Sequence, residues 1–267
     1  MKNLIFTIVT VIGLLSLRTA QAQGVLYVSN LGQSVAGGEV IGSNSWVAQT
    51  FVTGPGTGGY LVNSVQLLID APSGTHSGFS VSIYSKTGDP HSEHEPGDAP
   101  QASLGSFTGP EPATTGVFSY TNPGILLASS TFYYVVVTAA TSTHVGSYAW
   151  SGTTGLTQSN GFTIQDECFN STNGSAWTWT PRKITFQLGL YASAVPPPNL
   201  SMVRDGAGNT KILWPNVGTY VLEQSTNLGG TNWTVSSYTV TNNVVTSFCN
   251  VTPVGTGLFF RLGQQLP

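Results

Sequence analysis

The chain has 267 residues, of which only 7% are charged, and its formal net charge is −3. Because 40% of the residues are hydrophobic, intrinsic disorder is excluded, and the shortage of charged residues excludes coiled coils and most helical bundles. The sequence offers no basic patch of the kind that nucleic acid binding requires.

The first residues are predicted to be an export signal. Lys2 supplies a positive charge, residues 4–17 are apolar, and Ala20-Gln21-Ala22 has the small-residue pattern of a cleavage site. A membrane helix needs about 20 apolar residues, and this run is shorter. We therefore expect a signal peptide over residues 1–22 and an exported protein; the alternative is a buried N-terminal helix.

Residues 23–195 are predicted to form strands separated by turns. Apolar and polar residues alternate along 79–83 and along 185–190, which is the period of a half-buried strand. Residues 132–137 form a continuous aromatic and β-branched run, typical of a central strand covered on both faces. Further strands are predicted over 46–52, 60–69 and 117–120.

Three consecutive prolines, residues 196–198, divide the chain. They cannot lie inside a strand, and they stiffen a linker into an extended form. We therefore expect one domain over 23–195 and a smaller one over 199–267. Within the smaller domain, strands are predicted over 211–214, 220–225 and 258–262, with a hairpin of 234–240 and 244–248 around Asn242-Asn243.

Short strands and frequent Gly- and Pro-containing turns predict an all-β protein. The first domain is expected to be a jelly-roll-like β-sandwich, and the second a small β-sandwich similar to fibronectin type III. The two cysteines, Cys168 and Cys249, are expected to be free, buried thiols. A disulfide between them is the alternative, because export would permit one.

Several segments of the first domain, taken in their order along the chain, are similar to those of a known domain family. They are 49–54 (QTFVTG), 61–67 (LVNSVQL), 79–84 (FSVSIY), 126–137 with its Tyr-Tyr pair, and the Trp-rich 177–186. In this order they are similar to the choice-of-anchor R domain of exported bacterial surface proteins, over roughly residues 25–193. The resemblance implies a β-sandwich at the cell surface and supplies no catalytic residues.

The second domain resembles a module found at the C-termini of exported bacterial proteins. The similar segments are 213–215 (LWP), 220–225 (YVLEQS), Trp233 and 259–262 (FFRL). Choice-of-anchor domains typically continue into a surface anchor, often an apolar helix followed by basic residues. No such helix or basic cluster follows residue 198, so the resemblance leaves the means of attachment open.

The most unusual segment, residues 89–98, is rich in groups that can bind a divalent cation. Oxygen ligands would favour Ca²⁺, and imidazoles would favour Zn²⁺ or another transition metal. The spacing matches no metal-binding motif, and a solvated loop between strands is the alternative. The candidate ligands are Asp89, His91, Glu93, His94, Glu95 and Asp98.

An aromatic platform is the second candidate site. Trp177 and Trp179 are two residues apart and therefore share one face of a strand. Together with Trp150 and Tyr148 they could present rings on which the apolar faces of sugars stack. The alternative is that this face belongs to the core, because large aromatic residues dominate β-sandwich cores.

These features predict an exported, non-catalytic protein that is extracellular or associated with the cell surface, in a structural or binding role. In the sharper form of the hypothesis it binds carbohydrate, with an extracellular polysaccharide or another surface protein as partner. A secreted polysaccharide hydrolase is the alternative, although no G-x-S-x-G elbow occurs and no motif pairs two carboxylates. No cofactor is expected beyond the possible divalent cation.

Overall fold

A computed structural model describes residues 24–56, 58–89, 98–155, 158–181, 184–196, 198–204, 209–215, 220–230, 232–242, 246–252 and 257–264. Within these ranges the chain forms strands and no helix, which confirms the predicted all-β class. It follows that this part of the chain has no helix long and apolar enough to cross a membrane. The predicted signal peptide lies outside the described residues.

The chain before the prolines forms the strands numbered β1 to β14. They are β1 (Val25–Ser29), β2 (Gly37–Ile41), β3 (Trp46–Val52), β4 (Tyr60–Gly74), β5 (Ser80–Lys86), β6 (Pro100–Phe107), β7 (Gly116–Leu127), β8 (Phe132–Thr138), β9 (Gly146–Thr153), β10 (Gln158–Ser159), β11 (Thr163–Ser171), β12 (Trp177–Pro181), β13 (Thr185–Phe186) and β14 (Leu188–Ala194). They hydrogen-bond into two antiparallel sheets. The larger sheet has the order β10-β1-β14-β4-β9-β13, with β7 also on β4 and β2 on β9; the smaller has the order β12-β11-β3-β8-β5-β6.

The two sheets enclose one hydrophobic core. Val47 and Phe51 of β3 and Val135 of β8 belong to the same cluster as Val65 and Leu67 of β4. Because side chains alternate between the faces of a strand, the intervening residues of the smaller sheet point outward. This arrangement confirms a β-sandwich for the first domain, while its jelly-roll character stays a prediction.

Strand β8 is covered on both faces, as its unbroken apolar sequence predicts. Its first six residues are all buried, and it lies between β3 and β5 near the middle of the smaller sheet. A sheet that faces water on one side would show alternating burial instead. Other residues of the protein therefore cover the outward-facing side chains of β8 as well as the inward-facing ones.

A buried glutamine repairs an irregular stretch of β11. The pairing of β11 with β3 shifts register opposite Gln49, so the regular ladder is interrupted there. The Gln49 Nε2 group donates to the carbonyls of Gln165 at 2.6 Å and Glu167 at 3.2 Å, and its Oε1 accepts the amide of Phe186 at 2.7 Å. One side chain thus connects β3, β11 and β13.

The predicted strand 185–190 is divided at Gln187 into β13 and β14. Asn30 accounts for the break, because its Nδ2 donates to the Phe186 carbonyl at 3.0 Å and its Oδ1 accepts the Leu188 amide at 2.7 Å. The Gln187 amide donates to the carbonyl of Ser151 on β9 at 2.8 Å. The backbone groups around the break are therefore satisfied without a continuous ladder.

The chain after the prolines forms strands β15 to β21 in two smaller antiparallel sheets. They are β15 (Ser201–Arg204), β16 (Thr210–Pro215), β17 (Tyr220–Ser225), β18 (Thr234–Val235), β19 (Thr241–Asn242), β20 (Thr246–Val251) and β21 (Phe259–Gln264). One sheet has the order β15-β16-β20-β19 and the other β18-β17-β21. A separate cluster that includes Ile212, Trp214 and Leu222 forms their core.

The predicted hairpin of 234–240 with 244–248 is wrong in its first strand. Within the described residues, only Thr234 and Val235 of that segment form a strand, and they pair with β17 in the other sheet. The hairpin partner of β20 is β19. The physical reason is that Tyr238 packs towards Phe260 of β21, with ring centroids 6.1 Å apart, so the segment passes from one sheet to the other.

Both cysteines are buried thiols that form no disulfide, as expected. Cys168 lies in the core of the first domain, and Cys249 lies in the cluster of the second. Burial raises the pKa of the Cys249 thiol, which makes it less reactive.

Candidate functional site

The outer face of the smaller sheet carries a second hydrophobic cluster, called here the outer aromatic cluster. Its buried members come from β3, β8 and β11, and partly buried members from β3, β5 and β12 lie around them. Except for Trp177 on the edge strand, each member is next in sequence to a residue of the main core. The members are Trp46, Ala48, Tyr84, Tyr134, Val136, Phe169 and Trp177.

Strand register places the two tryptophans of β12 in this cluster. Trp177 lies opposite Ser171 of β11, which in turn lies opposite Trp46 of β3. Trp179 lies opposite Phe169 in the next row. Directly opposed residues of antiparallel strands point to the same face, so both tryptophans point outward. This confirms that they share a face, and shows that the face is not the one in the main core.

Trp179 is the most accessible ring of this face. Its side chain is 45% exposed, whereas Phe169 beside it is buried. Strand β12 forms the edge of the smaller sheet, so nothing in that sheet extends beyond it. The arrangement leaves nearly half of the Trp179 surface accessible and backs it with a packed aromatic layer.

Trp46 and Trp177 form a fixed pair behind Trp179. Their ring centroids are 6.4 Å apart at an interplanar angle of 76°, an edge-to-face geometry that aromatic rings favour. The Trp46 Nε1 group donates to the carbonyl of Ser43 at 3.1 Å, which fixes the plane of its ring. Among the described residues, the buried Trp177 Nε1 group has no acceptor.

A glycine turn closes over Trp46. Gly174 has φ near +75°, a left-handed conformation that is costly for other residues, and an added Cβ would lie 2.6 Å from the Trp46 ring. The turn is also held by Ser171, whose hydroxyl accepts the Gly174 amide at 2.9 Å. Glycine is therefore required here both for backbone conformation and for space.

We expect Gly174→Ala to lower the free energy of unfolding by about 1 to 2 kcal/mol from backbone strain and by a further amount from its clash with Trp46. The change should also alter tryptophan fluorescence, because the ring must move. Gly32→Ala is the matched control: its φ is +79°, but an added Cβ meets nothing within 4 Å. Equal urea-unfolding midpoints and unchanged emission in both variants would contradict the packing of Gly174 on Trp46.

Trp150 and Tyr148 do not belong to this platform, which corrects the four-residue grouping predicted from sequence. Both lie on β9 in the other sheet and are almost fully buried. The Trp150 ring stacks on Phe186 with centroids 4.8 Å apart, and its Nε1 donates to the Gln187 carbonyl at 2.9 Å. Neither residue presents a ring to a ligand, because both pack into the sandwich core.

Tyr148 instead holds the loop that follows β6. Its hydroxyl donates to the carboxylate of Glu111, which also accepts the amide of Phe79 at 3.2 Å. Burial raises the pKa of Tyr148, and the hydrogen bond and charge of Glu111 raise it further. The contact fixes Glu111 against the larger sheet, away from the outer aromatic cluster.

The proposed metal ligands fall mostly outside the described residues, namely His91, Glu93, His94 and Glu95. Of the other two, Asp98 lies 2.5 Å from the ammonium of Lys86, and the carbonyl of Asp89 accepts from the same ammonium at 2.9 Å. Within the described ranges no three His, Cys, Asp or Glu side chains gather to hold a metal. Cation binding by this segment therefore stays a prediction.

A cleft of about 260 Å³ lies in the second domain, between its two sheets. Its floor includes Trp214 and Leu222, and Ser236 and Asn242 stand at its rim. It contains no charged side chain, and nothing in the sequence predicted it. The outer aromatic cluster, with its exposed Trp179, is the stronger candidate site.

Sequence reasoning missed most of the cluster, namely Trp46, Tyr84, Tyr134 and Phe169. Trp46 begins a predicted strand, and Tyr134 lies in the predicted central strand covered on both faces, but neither was predicted to belong to a site. The signal that could have found them is the alternation within each strand. It could not show which strands are neighbours, and therefore could not join the four residues into one surface.

Comparisons of the chain with family models, with curated proteins and with solved structures find no match. The class of protein rests on the structure itself: an all-β chain with a two-sheet sandwich that carries an aromatic cluster on its outer face. The resemblance to choice-of-anchor R domains stays a prediction.

Proposed function

We propose that the chain is an exported, non-catalytic protein that binds an uncharged polysaccharide on the outer face of its smaller sheet. The observation that carries the proposal is the position of Trp179, half exposed on edge strand β12 beside Trp177. Same-face neighbours on a strand are about 7 Å apart. Trp179 therefore offers a stacking position at the sheet edge, and the partly buried Trp177 lies next to it on the same face.

The chemistry of the face favours a sugar over other ligands. Pyranose rings present C–H groups that pack against the electron-rich face of an indole. The rings of the outer aromatic cluster are uncharged, only 7% of the chain is charged, and the charges that act on Tyr134, those of Glu167 and Asp98, would repel an anionic polymer. A charged polymer would require cationic or anionic partners in the platform. A neutral, extended glycan is the ligand class that fits.

The site resembles a pre-formed binding surface rather than one that must be assembled. Trp46 is held by its bond to Ser43 and by the Gly174 turn, and Trp177 packs against Trp46. Rings fixed in this way lose little conformational freedom when a ligand stacks on them. Modest stacking energies can then appear as measurable affinity.

The test is retention of the chain without residues 1–22 on insoluble cellulose, chitin, β-1,3-glucan and starch. We expect retention on at least one of these neutral polymers and no release of soluble reducing sugar. Retention with sugar release would favour the alternative, a polysaccharide hydrolase. Failure to bind any of the polymers would contradict the proposal.

Each polymer is tested with added calcium and with a chelator. Retention that is unchanged by chelation is expected, because the residues that carry the proposal, Trp177 and Trp179, are not metal ligands. Loss of retention with the chelator would show instead that the segment 89–98 contributes a cation to binding.

A further inference from the structure

One lysine of this charge-poor chain is completely buried. Lys86, the last residue of β5, has no exposed side-chain surface, and only 6% of the Asp98 side chain is exposed. The Nζ atom of Lys86 lies 2.5 Å from Oδ2 of Asp98. Lysine is almost never fully buried in proteins unless it is paired, and Asp98 is the residue that pairs with Lys86 here.

The surroundings of the pair are aromatic. The Nζ atom lies 5.8 Å from the centroid of the Phe132 ring. Burial raises the pKa of Tyr134, and the charges of Glu167 and Asp98 raise it further. The pair therefore lies in a poorly hydrated, partly aromatic setting.

The backbone holds the two side chains face to face. Lys86 is paired with Pro100 across β5 and β6. Beyond this pair, the Thr87 amide donates to the carbonyl of Ala99 at 3.0 Å, and the Ala99 amide donates to the Thr87 hydroxyl at 2.8 Å. The amine and the carboxyl are therefore held in contact, and positioned reactants of this kind reach effective concentrations far above those in solution.

We infer that Lys86 and Asp98 are joined by an intramolecular isopeptide bond in the mature protein. One proton passes from Nζ to Oδ2, and the Nζ lone pair attacks Cγ of the neutral carboxyl group. A second proton passes from Nζ to the departing hydroxyl, and one water molecule leaves. An ammonium and a carboxylate thus become one secondary amide and one water, with no oxidant, reductant or other reactant.

The bond would serve the fold at this position. Its remaining N–H can still donate to the Asp89 carbonyl, which Lys86 contacts at 2.9 Å. It would permanently connect the end of β5 to the start of β6 beside the outer aromatic cluster. The two cysteines lie in separate cores, so no disulfide provides such a link.

The test begins with the intact mass of the folded chain. We expect the mass of the linear chain less one water. Cleavage in dilute acid at Asp89-Pro90, the one Asp-Pro bond of the sequence, then separates residues on either side of the link. The two fragments should remain joined after denaturation. An unchanged mass, or fragments that separate, would overturn the inference.

The acid cleavage also excludes a cyclic imide at Asp98, which loses the same mass but leaves the fragments separate. Two variants complete the test. Asp98→Asn should form the same bond with loss of ammonia instead of water. Lys86→Arg keeps a cation beside Asp98 but cannot form this amide, so it should retain its full mass and give two fragments. A mass loss in Lys86→Arg would overturn the assignment to Lys86.

Discussion

Replacing Gln49 with leucine is expected to lower the free energy of unfolding by about 4 kcal/mol. The leucine fills the space but removes the hydrogen bonds that Gln49 makes to the Phe186 amide and to the carbonyls of Gln165 and Glu167. Each buried polar group that loses its hydrogen bond costs about 1 to 3 kcal/mol. Urea unfolding followed by fluorescence measures the loss directly.

Gln66→Leu is the matched control. Gln66 lies on β4; it donates to the Ser119 hydroxyl at 3.0 Å and accepts from the Tyr191 hydroxyl at 3.3 Å, and none of these residues is buried. Water can reach and replace both bonds, so we expect a change within about 0.5 kcal/mol. Similar losses in the Gln49 and Gln66 variants would show that the Gln49 network does not hold the irregular stretch of β11.

The second large effect that we expect is a loss of stability, and then unfolding, as the pH rises from 10 to about 12. Tyr120 and Tyr134 are almost fully buried, and burial is the first cause that raises the pKa of each above its ordinary value of 10. Above pH 10 the unfolded chain therefore loses these protons while the folded chain keeps them. Stability falls as the pH rises, by about 1.4 kcal/mol per pH unit for each tyrosine.

The measurement is the pH titration of phenolate absorbance alongside circular dichroism. We expect the buried tyrosines to ionise only together with unfolding. Tyr134→Phe supplies the control, because the Tyr134 hydroxyl has no hydrogen-bond partner among the described residues. That variant should unfold at higher pH than the parent chain. Ionisation of all tyrosines near pH 10 with the strands intact would contradict the burial.

Much of the fold could be predicted because it depends on local pattern. The continuous apolar run at 132–137 gave a strand buried on both faces, and β17 matches the predicted 220–225 to the residue. The strand predictions fail where contacts of side chains replace the backbone hydrogen bonds between neighbouring strands. Asn30 divides the predicted strand 185–190, and Tyr238 draws residues after Val235 out of the predicted hairpin. The alternation of apolar and polar residues in the sequence reveals neither contact.

The candidate site could be predicted only in part. The spacing of Trp177 and Trp179 placed them on one face, but their environment depends on the strands beside β12. Trp150 and Tyr148 are aromatic too, but they lie in the other sheet and their side chains are buried in the core. Aromatic content alone does not distinguish a core ring from a ligand platform, since both are apolar and both occur on strands.

The measurement that tests the central claim most directly compares Trp179→Ala with Trp233→Ala on the polymer that retains the parent chain. Trp233 is a partly exposed tryptophan of the second domain, whose ring packs on Arg261 with 4.5 Å between the guanidinium carbon and the ring centroid. Circular dichroism first verifies that both variants fold.

We expect Trp179→Ala to bind at least tenfold more weakly, about 1.4 kcal/mol, because it loses an exposed stacking ring. Trp233→Ala should bind like the parent chain. Equal retention of the parent and of folded Trp179→Ala would contradict binding on the outer face of the smaller sheet.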